Sequence, residues 1–161
     1  MDESGDHPPL RGDDLATWAA LATVLEWLPP ALDAGLADHD LTHFEYGILY
    51  ALAGAPDRTL RMSILAGYAN SSLSRLSRAA SRLERRGWVR RAQDASDRRS
   101  TLASLTDAGV EAFAAATPLH EQTVTRLVLD PLTTAQKRQL RSISLRIQQA
   151  IRDEHGWTPH P

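Results

Sequence analysis

The chain has 161 residues, of which 42% are hydrophobic, so it can form one packed domain and an intrinsically disordered protein is not expected. It has no cysteine, which excludes disulfides, thiolate zinc sites and thiol nucleophiles. The net charge of −2 conceals two unequal blocks: residues 1–57 carry eleven acids and one arginine, whereas residues 58–99 carry eleven arginines and three acids. A basic block of this kind is typical of proteins that bind a polyanion, although a solvated helix face is the alternative.

The N-terminal segment is acidic and lacks the basic flank and apolar stretch of a secretory signal. No apolar run is expected to approach the length needed to cross a bilayer, so no membrane association and a cytoplasmic location are predicted. Residues 1–13 are predicted to form a flexible tail, and apolar residues at helical spacing predict a first helix over 14–37, kinked or interrupted at Pro29 and Pro30. Because this helix is apolar on more than one face, we expect it to pack against more than its own domain.

The second helix has a clear start signal. Thr42 and Glu45 have the spacing of a capping box, in which each side chain bonds the backbone amide of the other residue. Gly54 and Pro56 predict the end of this helix.

The central segment predicts a helix-turn-helix unit. A short helix over 61–69 is followed by a turn over 70–72, whose serines can cap a longer helix. That helix ends at Gly87, a residue suited to the left-handed conformation that follows many helices. The residues predicted to line its buried side are Leu73, Leu76, Ala80 and Leu83.

The longer helix is predicted to enter the major groove of DNA, where exposed polar side chains meet base edges and phosphates. The side chains predicted to contact DNA are Ser71, Ser72, Ser74, Arg75, Arg78, Arg82, Arg98 and Arg99. We expect Arg75 and Arg78 to reach guanine edges, and Arg82, Arg85 and Arg86 to meet phosphates or acidic neighbours. An amphipathic helix with solvated arginines is the alternative, and the hairpin that follows favours DNA.

Residues 88–93 and 100–105 predict two strands joined by a charged turn. An arginine at the tip of such a hairpin can enter a narrow minor groove, where the negative potential is greatest. We favour Arg98 for this contact. An ion pair between Asp97 and Arg99 that holds the turn is the alternative, and both can exist together.

Two further helices complete the chain. Thr106 is expected to cap a long helix with a bend at Pro118, and Thr133 and Gln136 form a second capping box before the final helix. Residues 156–161 are predicted to form a C-terminal tail.

The hairpin and the segments on either side of it resemble the wing signature of the MarR (multiple antibiotic resistance regulator) family. The helix order extends the resemblance over roughly residues 13–155, and the segments 60–66 and 83–87 are similar to that family's recognition-helix region. The signature segments are Gly87-Trp88-Val89-Arg90-Arg91, Asp94-Ala95-Ser96-Asp97-Arg98-Arg99 and Leu105-Thr106-Asp107-Ala108-Gly109.

This resemblance implies a mainly α fold with a small β-hairpin wing. A winged helix-turn-helix DNA-binding domain over 41–106 would be flanked by dimerisation helices over 14–37 and 107–155. It further implies a homodimer that binds a pseudo-palindromic operator and represses its own or neighbouring genes. A small aromatic or phenolic ligand often releases DNA in this family, and no cofactor is implied.

A ligand pocket is predicted on a weaker basis. Trp18, His43, Tyr46 and Met62 are candidates for its lining, with ordinary packing in the dimer core as the favoured alternative for Trp18. A metal site at His39 and His43 is disfavoured, because His39 is expected to precede the Thr42 cap and the pair then loses helical spacing. Exposed loop histidines are the favoured interpretation, and no metal is predicted.

Two other functional classes are weighed against DNA binding. An enzyme is disfavoured, because the sequence has no nucleophile elbow, no glycine-rich phosphate loop and no HExxH motif. A protein-interaction module built on the winged fold is the second alternative. Acidic side chains covering the arginines would favour this module over DNA binding.

Overall fold

The computed structural model describes residues 9–69 and 71–155, and the structural statements below refer to these residues. Most of the two predicted tails (1–8 and 156–161) and the turn residue Asn70 lie outside them. The regular elements are α1 (Gly12–Gly35), α2 (His43–Ala53), β1 (Thr59–Arg61), α3 (Met62–Tyr68), α4 (Leu73–Arg85), β2 (Val89–Gln93), β3 (Thr101–Leu105), α5 (Asp107–Val124) and α6 (Thr134–His155). The mainly helical fold with a small antiparallel sheet confirms the predicted fold class.

The start of α2 is confirmed in atomic detail. Thr42 Oγ1 accepts a hydrogen bond from the Glu45 amide, and Glu45 Oε2 accepts one from the Thr42 amide. This capping box satisfies two amides that a helix N-terminus would otherwise leave unpaired. The same arrangement joins Thr133 and Gln136 ahead of α6.

The hydrophobic core lies between α2, α3, α4 and the sheet, with contributions from α5 and the residue after α1. Its fully buried large side chains are Leu36, Ile48, Leu49, Leu52, Leu65, Leu76, Leu83 and Val89. Complete burial of one such side chain contributes about 1.5–3 kcal/mol. This core therefore fixes α4 against α2 and the sheet, and leaves the opposite side of α4 in solvent.

The predicted hairpin is confirmed, and the structure adds a third strand. β2 pairs with β3 in an antiparallel register from Val89 opposite Leu105 to Gln93 opposite Thr101. β1 pairs with the other edge of β3, so the strand order is β1-β3-β2. β1 was not predicted, because its three residues are too few to show the alternation that marks a strand.

Two local predictions are corrected. α1 runs as one helix from Gly12 to Gly35, so the two prolines within it do not interrupt it. Leu73 was predicted to face the core but is 57% exposed, because it occupies the first position of α4 at the edge of the buried stripe. Ala79 lies in that stripe instead and is 1% exposed.

The first and last helices carry much of the exposed apolar surface. Ten of the sixteen large exposed hydrophobic side chains in the described residues lie in α1 and α6. An apolar groove of about 700 Å³ separates these helices, with Trp27 and Ile143 among its lining residues. By length and composition α1 also meets the criterion for a membrane span, which corrects the expectation that no run is long enough. A helix that is apolar on several faces meets the same criterion when it is packed inside a protein.

Candidate nucleic-acid interface

The helix α4 is the centre of the site, and its ends are set by local chemistry. Ser72 is its N-cap, and the Ser72 side chain accepts a hydrogen bond from the Arg75 amide. Gly87, two residues beyond the end of α4, has a φ of +74°, a conformation that costs glycine little. With Leu76, Ala80 and Leu83 held in the core, the polar side of the helix faces outward.

The outermost side of α4 carries Ser74, Arg78 and Arg85, which are all exposed. Arg78 and Arg85 are seven residues apart and therefore lie nearly two turns apart on one face. Within the described part of the chain, neither arginine makes a side-chain hydrogen bond or an ion pair. We call these three residues the crest of α4. The donors of the two arginines are free to meet an external acceptor, whereas the Ser74 hydroxyl is hydrogen-bonded to the Ser72 hydroxyl at 3.0 Å.

One flank of α4 is held by the first turn of α2. The Arg75 guanidinium lies over the Phe44 ring, with its central carbon 4.3 Å from the ring centroid. Arg82 Nε donates to Glu45 Oε1 at 2.6 Å, and Glu45 is only 4% exposed. Arg82 was predicted to contact DNA or an acidic neighbour, and in the structure its Nε meets the acidic neighbour.

The other flank of α4 is held by β2. The Arg91 guanidinium donates to both Glu84, at 2.7 Å, and the hydroxyl of Ser81, at 2.9 Å. The side-chain bond from Arg91 to Glu84, with one from the Arg91 amide, holds the pKa of Glu84 below its usual range. The hairpin of β2 and β3 is therefore attached to α4 by a charge-assisted contact, which is stronger than a neutral hydrogen bond.

The tip of the wing is built around two aspartates. Asp94 accepts hydrogen bonds from the Ser96 amide and hydroxyl, and Arg61 of β1 forms an ion pair with it at 2.9 Å. Asp97 accepts bonds from the Arg99 amide and the Ser100 hydroxyl. The serine bonds are the main cause that lowers the pKa of each carboxyl group, so both are ionised at neutral pH.

The arginines at the wing tip are left exposed by this arrangement. Asp97 braces the turn through the Arg99 backbone amide, and the Arg98 carbonyl accepts a bond from the Gln93 side chain. Neither Arg98 nor Arg99 forms a side-chain ion pair with any residue that the structure describes. The proposed structural pair between Asp97 and Arg99 is therefore replaced by a bond to the backbone.

The predicted DNA-contacting residues fall into two groups. Ser71, Ser72, Ser74, Arg75, Arg78 and Arg82 lie on α4 or just before it, whereas Arg98 and Arg99 lie at the wing tip. Arg85 was expected to meet a phosphate or an acidic neighbour, whereas Arg90 was not predicted; both are exposed and without an ion-pair partner among the described residues. Arg86, for which the expectation was the same as for Arg85, forms an ion pair with Asp40.

The four predicted pocket residues occupy different environments. Trp18 is 52% exposed on α1, whereas Tyr46 and Met62 are buried in the core. His43 lines an apolar cavity of about 380 Å³ beside α2 and α3, together with Phe44, Tyr50 and Tyr68. Only His43 among the four lines this cavity.

His43 also belongs to a stack of rings that sequence analysis did not predict. The His43 and His120 rings are parallel, and His43 Nδ1 lies 3.3 Å from His120 Nε2. Tyr46 stacks on His120 with ring centroids 4.2 Å apart. Burial is the main cause that lowers the pKa of both histidines, outweighing the opposite effect of Asp33 on His43. Among the described residues, no group of three or more acidic, histidine or cysteine side chains is arranged to hold a metal ion.

Comparison with known proteins connects this geometry to a family of regulators. The model of the MarR family matches residues 39–100. The HTH-type transcriptional regulator YdcH of Bacillus subtilis is 32% identical over 91 residues, which are 54% of this chain and 60% of YdcH. The transcriptional regulator HosA of Escherichia coli is 36% identical over 82 residues, which are 51% of this chain and 59% of HosA. The chain thus spans about 60% of the length of these two relatives.

Solved structures extend the similarity over nearly the whole chain. Sco3205, a MarR-family transcriptional regulator of Streptomyces coelicolor crystallised with DNA, matches with a TM-score of 0.85 and 36% identity, over 91% of this chain and 92% of Sco3205. AbsC from the same organism matches with a TM-score of 0.84 and 31% identity, over 91% and 99% of the two chains. These relatives are transcriptional regulators rather than enzymes, in agreement with the sequence analysis. The chain belongs to the MarR family of DNA-binding transcriptional regulators.

Proposed function

We propose that the chain forms a cytoplasmic homodimer that binds a pseudo-palindromic operator and represses its own or a neighbouring gene. The observation that carries this proposal is the set of exposed arginines on the crest of α4 and at the wing tip, which have no acidic partner among the described residues. Free guanidinium groups on a helix and an adjacent hairpin are suited to phosphates and guanine edges. An acidic cover would have favoured a protein partner instead.

In the proposed complex, α4 lies in the major groove. Arg75 and Arg78 contact base edges, and Ser71, Ser72 and Ser74 bond bases or phosphates near the helix N-terminus. Arg98 of the wing enters the adjacent minor groove, with Arg99 beside it. Arg82, whose Nε is already bonded to Glu45, contributes at most its remaining donors.

The proposed dimer places the helices over 14–37 and 107–155 at the subunit interface, and the winged domain over 41–106 on DNA. The exposed apolar side chains of α1 and α6 support this assignment, because large exposed apolar surfaces mark protein interfaces. Two recognition helices about 34 Å apart would reach successive major grooves.

The proposed effector is a small aromatic or phenolic molecule that releases the dimer from DNA. The cavity lined by His43, Phe44, Tyr50 and Tyr68 supports this role, because it is apolar and has aromatic walls. Trp18, Tyr46 and Met62 stay candidates for a pocket completed in the dimer. Such a ligand can act only through unequal affinity for the bound and free conformations.

The first experiment is a fluorescence-anisotropy titration of the protein against its own upstream DNA at two salt concentrations, with scrambled DNA as the control. We expect tighter binding to the upstream DNA and a steep loss of affinity with salt, because binding releases counterions from the phosphates. No binding at low salt would overturn the proposal and favour a protein-interaction module. Equal weak binding to both duplexes would contradict autoregulation and move the search to other operators.

Two variants separate base contacts from phosphate contacts. Arg75→Ala should reduce the preference for the operator over scrambled DNA, by about 1–3 kcal/mol if the contact is bidentate. Arg85→Ala should weaken binding to both duplexes alike and make the salt dependence shallower. Wild-type behaviour of both variants in these titrations would contradict the assignment of α4 as the recognition helix.

A further inference from the structure

The contact between Arg75 and Phe44 leaves the hydrogen-bond donors of Arg75 open. A guanidinium group is planar, and its five N–H donors lie in that plane. The central carbon of this group lies over the Phe44 ring, 4.3 Å from the ring centroid, and Arg75 is exposed and makes no side-chain hydrogen bond among the described residues. The donors that would recognise a guanine or a phosphate therefore remain available.

The position of Phe44 is itself firmly held. The residue lies in the first turn of α2, between the Thr42 cap and Glu45, and packs half-buried against the core. The next residue, Glu45, holds Arg82. Arg75 and Arg82 are seven residues apart on one flank of α4, so two consecutive residues of α2 hold two arginines of the same flank.

The two arginines of the crest differ from Arg75 and Arg82 in that no residue of α2 restricts their side chains. Arg78 and Arg85 have no ring or carboxylate partner among the described residues, so their side chains can sample many rotamers. An arginine that is already restricted loses less conformational entropy when it binds, and preorganisation of this kind raises affinity.

We propose that Phe44 is a positioning residue for DNA recognition: its ring holds the Arg75 guanidinium in the orientation that contacts a base. This inference rests on the proposed function, since it takes Arg75 to be a DNA contact. It assigns to α2 a part in sequence discrimination although α2 itself is not placed in a groove.

The test compares affinities for a duplex selected by the wild-type protein from a randomised pool with those for a scrambled duplex. Phe44→Leu keeps an apolar side chain but removes the ring, and should lower the ratio of the two affinities about threefold to tenfold. Phe44→Tyr keeps the ring and should restore the ratio. In an Arg75→Ala background, Phe44→Leu should have no further effect, because the two residues act as one unit.

NMR of the free protein tests the contact between Phe44 and Arg75 without DNA. In the free protein, the NMR signals of the Arg75 side chain should show a ring-current shift that is lost in Phe44→Leu and kept in Phe44→Tyr. Thermal unfolding of each variant shows whether a change in the fold contributes, and Phe44→Met replaces Phe44→Leu if the latter does not fold.

The outcomes distinguish this inference from the function on which it rests. If Arg75→Ala leaves the affinity ratio unchanged, the assignment of Arg75 as a base contact fails. If Arg75→Ala lowers the ratio but Phe44→Leu behaves as the wild type, the positioning role of Phe44 is overturned while the DNA-binding function stands.

Discussion

At the scale of single residues, the eleven arginines of the segment 58–99 serve two purposes. Five of them form ion pairs with carboxylates, and three of those carboxylates (Asp40, Glu45 and Asp107) lie outside the segment. The other six have no ion-pair partner among the described residues. The paired arginines attach elements to one another, and the unpaired ones form the positive surface. The positive charge that the segment leaves unneutralised is thus smaller than its composition indicates. This charge is concentrated on α4 and the wing.

The stacked histidines predict that acid destabilises the fold. Their folded-state pKa values lie below the ordinary value of 6.5, so the unfolded chain binds more protons as the pH falls through 6.5 towards those values. The stability that these two histidines contribute is therefore present above pH 6.5 and decreases as the pH falls below that value. Thermal unfolding between pH 7.5 and 5.5 should show a falling Tm, and the fall should be smaller in His120→Gln.

The control for this prediction is His39→Gln, which changes a histidine outside the stack. This variant should keep the wild-type dependence of Tm on pH. An equal acid-induced fall in His120→Gln and the wild type would show that other groups cause the loss. The groups that face the pair are Asp33 on α1, Tyr46 on α2 and Glu121 on α5.

At the scale of elements, the junction between the wing and α5 is tightly packed. The Trp88 carbonyl oxygen accepts a bond from the Thr106 amide, and the Thr106 hydroxyl donates to the Gly87 carbonyl. The first turn of α5 approaches the same backbone at Gly109, where a Cβ atom would overlap the Trp88 carbonyl oxygen and come within 2.7 Å of Leu105 Cδ1. Only glycine fits here without movement of the strand.

Gly109→Ala should therefore reduce the free energy of unfolding by about 1–3 kcal/mol, because the backbone must move to admit the methyl group. The matched control is Gly47→Ala in α2, where no described atom lies within 4 Å of the added Cβ. Gly47→Ala should stabilise the protein by about 0.5–1 kcal/mol, since alanine is the better helix former. Urea unfolding at one fixed protein concentration measures both changes, and a loss of stability in both variants would contradict the argument from close packing.

The elements differ in how well the sequence predicts them. α2, α4 and the hairpin carry local signals such as the Thr42 capping box and Gly87, and these signals act within a few residues. β1 has no such signal, since it exists only because β3 offers a free edge 45 residues later, where Thr59 meets Ser104. For the same reason, the bond between Arg82 and Glu45 could not be predicted from α4 alone, because only the packing of α4 on α2 brings the two together.

At the scale of the whole molecule, the exposed apolar side chains and the unpaired arginines of the segment 58–99 occupy different elements. The apolar side chains are concentrated on α1 and α6, and these six arginines lie on α4 and the wing, although α6 also carries the exposed arginines Arg138, Arg141 and Arg146. Within one chain, the groove between α1 and α6 leaves side chains such as Trp27, at 75% exposed, in contact with water. Because exposing this much apolar surface is unfavourable, a second copy that covers it would stabilise the fold and set the spacing of the two recognition helices.

A charge placed in the groove between α1 and α6 should therefore separate the proposed dimer. Ile143 is 54% exposed and lines the groove, so Ile143→Glu would bury a carboxylate at the proposed interface, at a cost that an apolar surface cannot offset. Light scattering coupled to gel filtration should give the mass of two chains for the wild type and the mass of one chain for the Ile143→Glu variant. The neighbouring exposed Ser142, which does not line the groove, offers the control Ser142→Glu, which should stay dimeric.

The monomeric Ile143→Glu variant should lose most of its affinity for an operator with two half-sites. It should keep the wild-type affinity for a single half-site, because its recognition helix is intact. A dimeric Ile143→Glu variant would instead mean that subunits associate through another surface, and the spacing of the half-sites would then have to be set elsewhere.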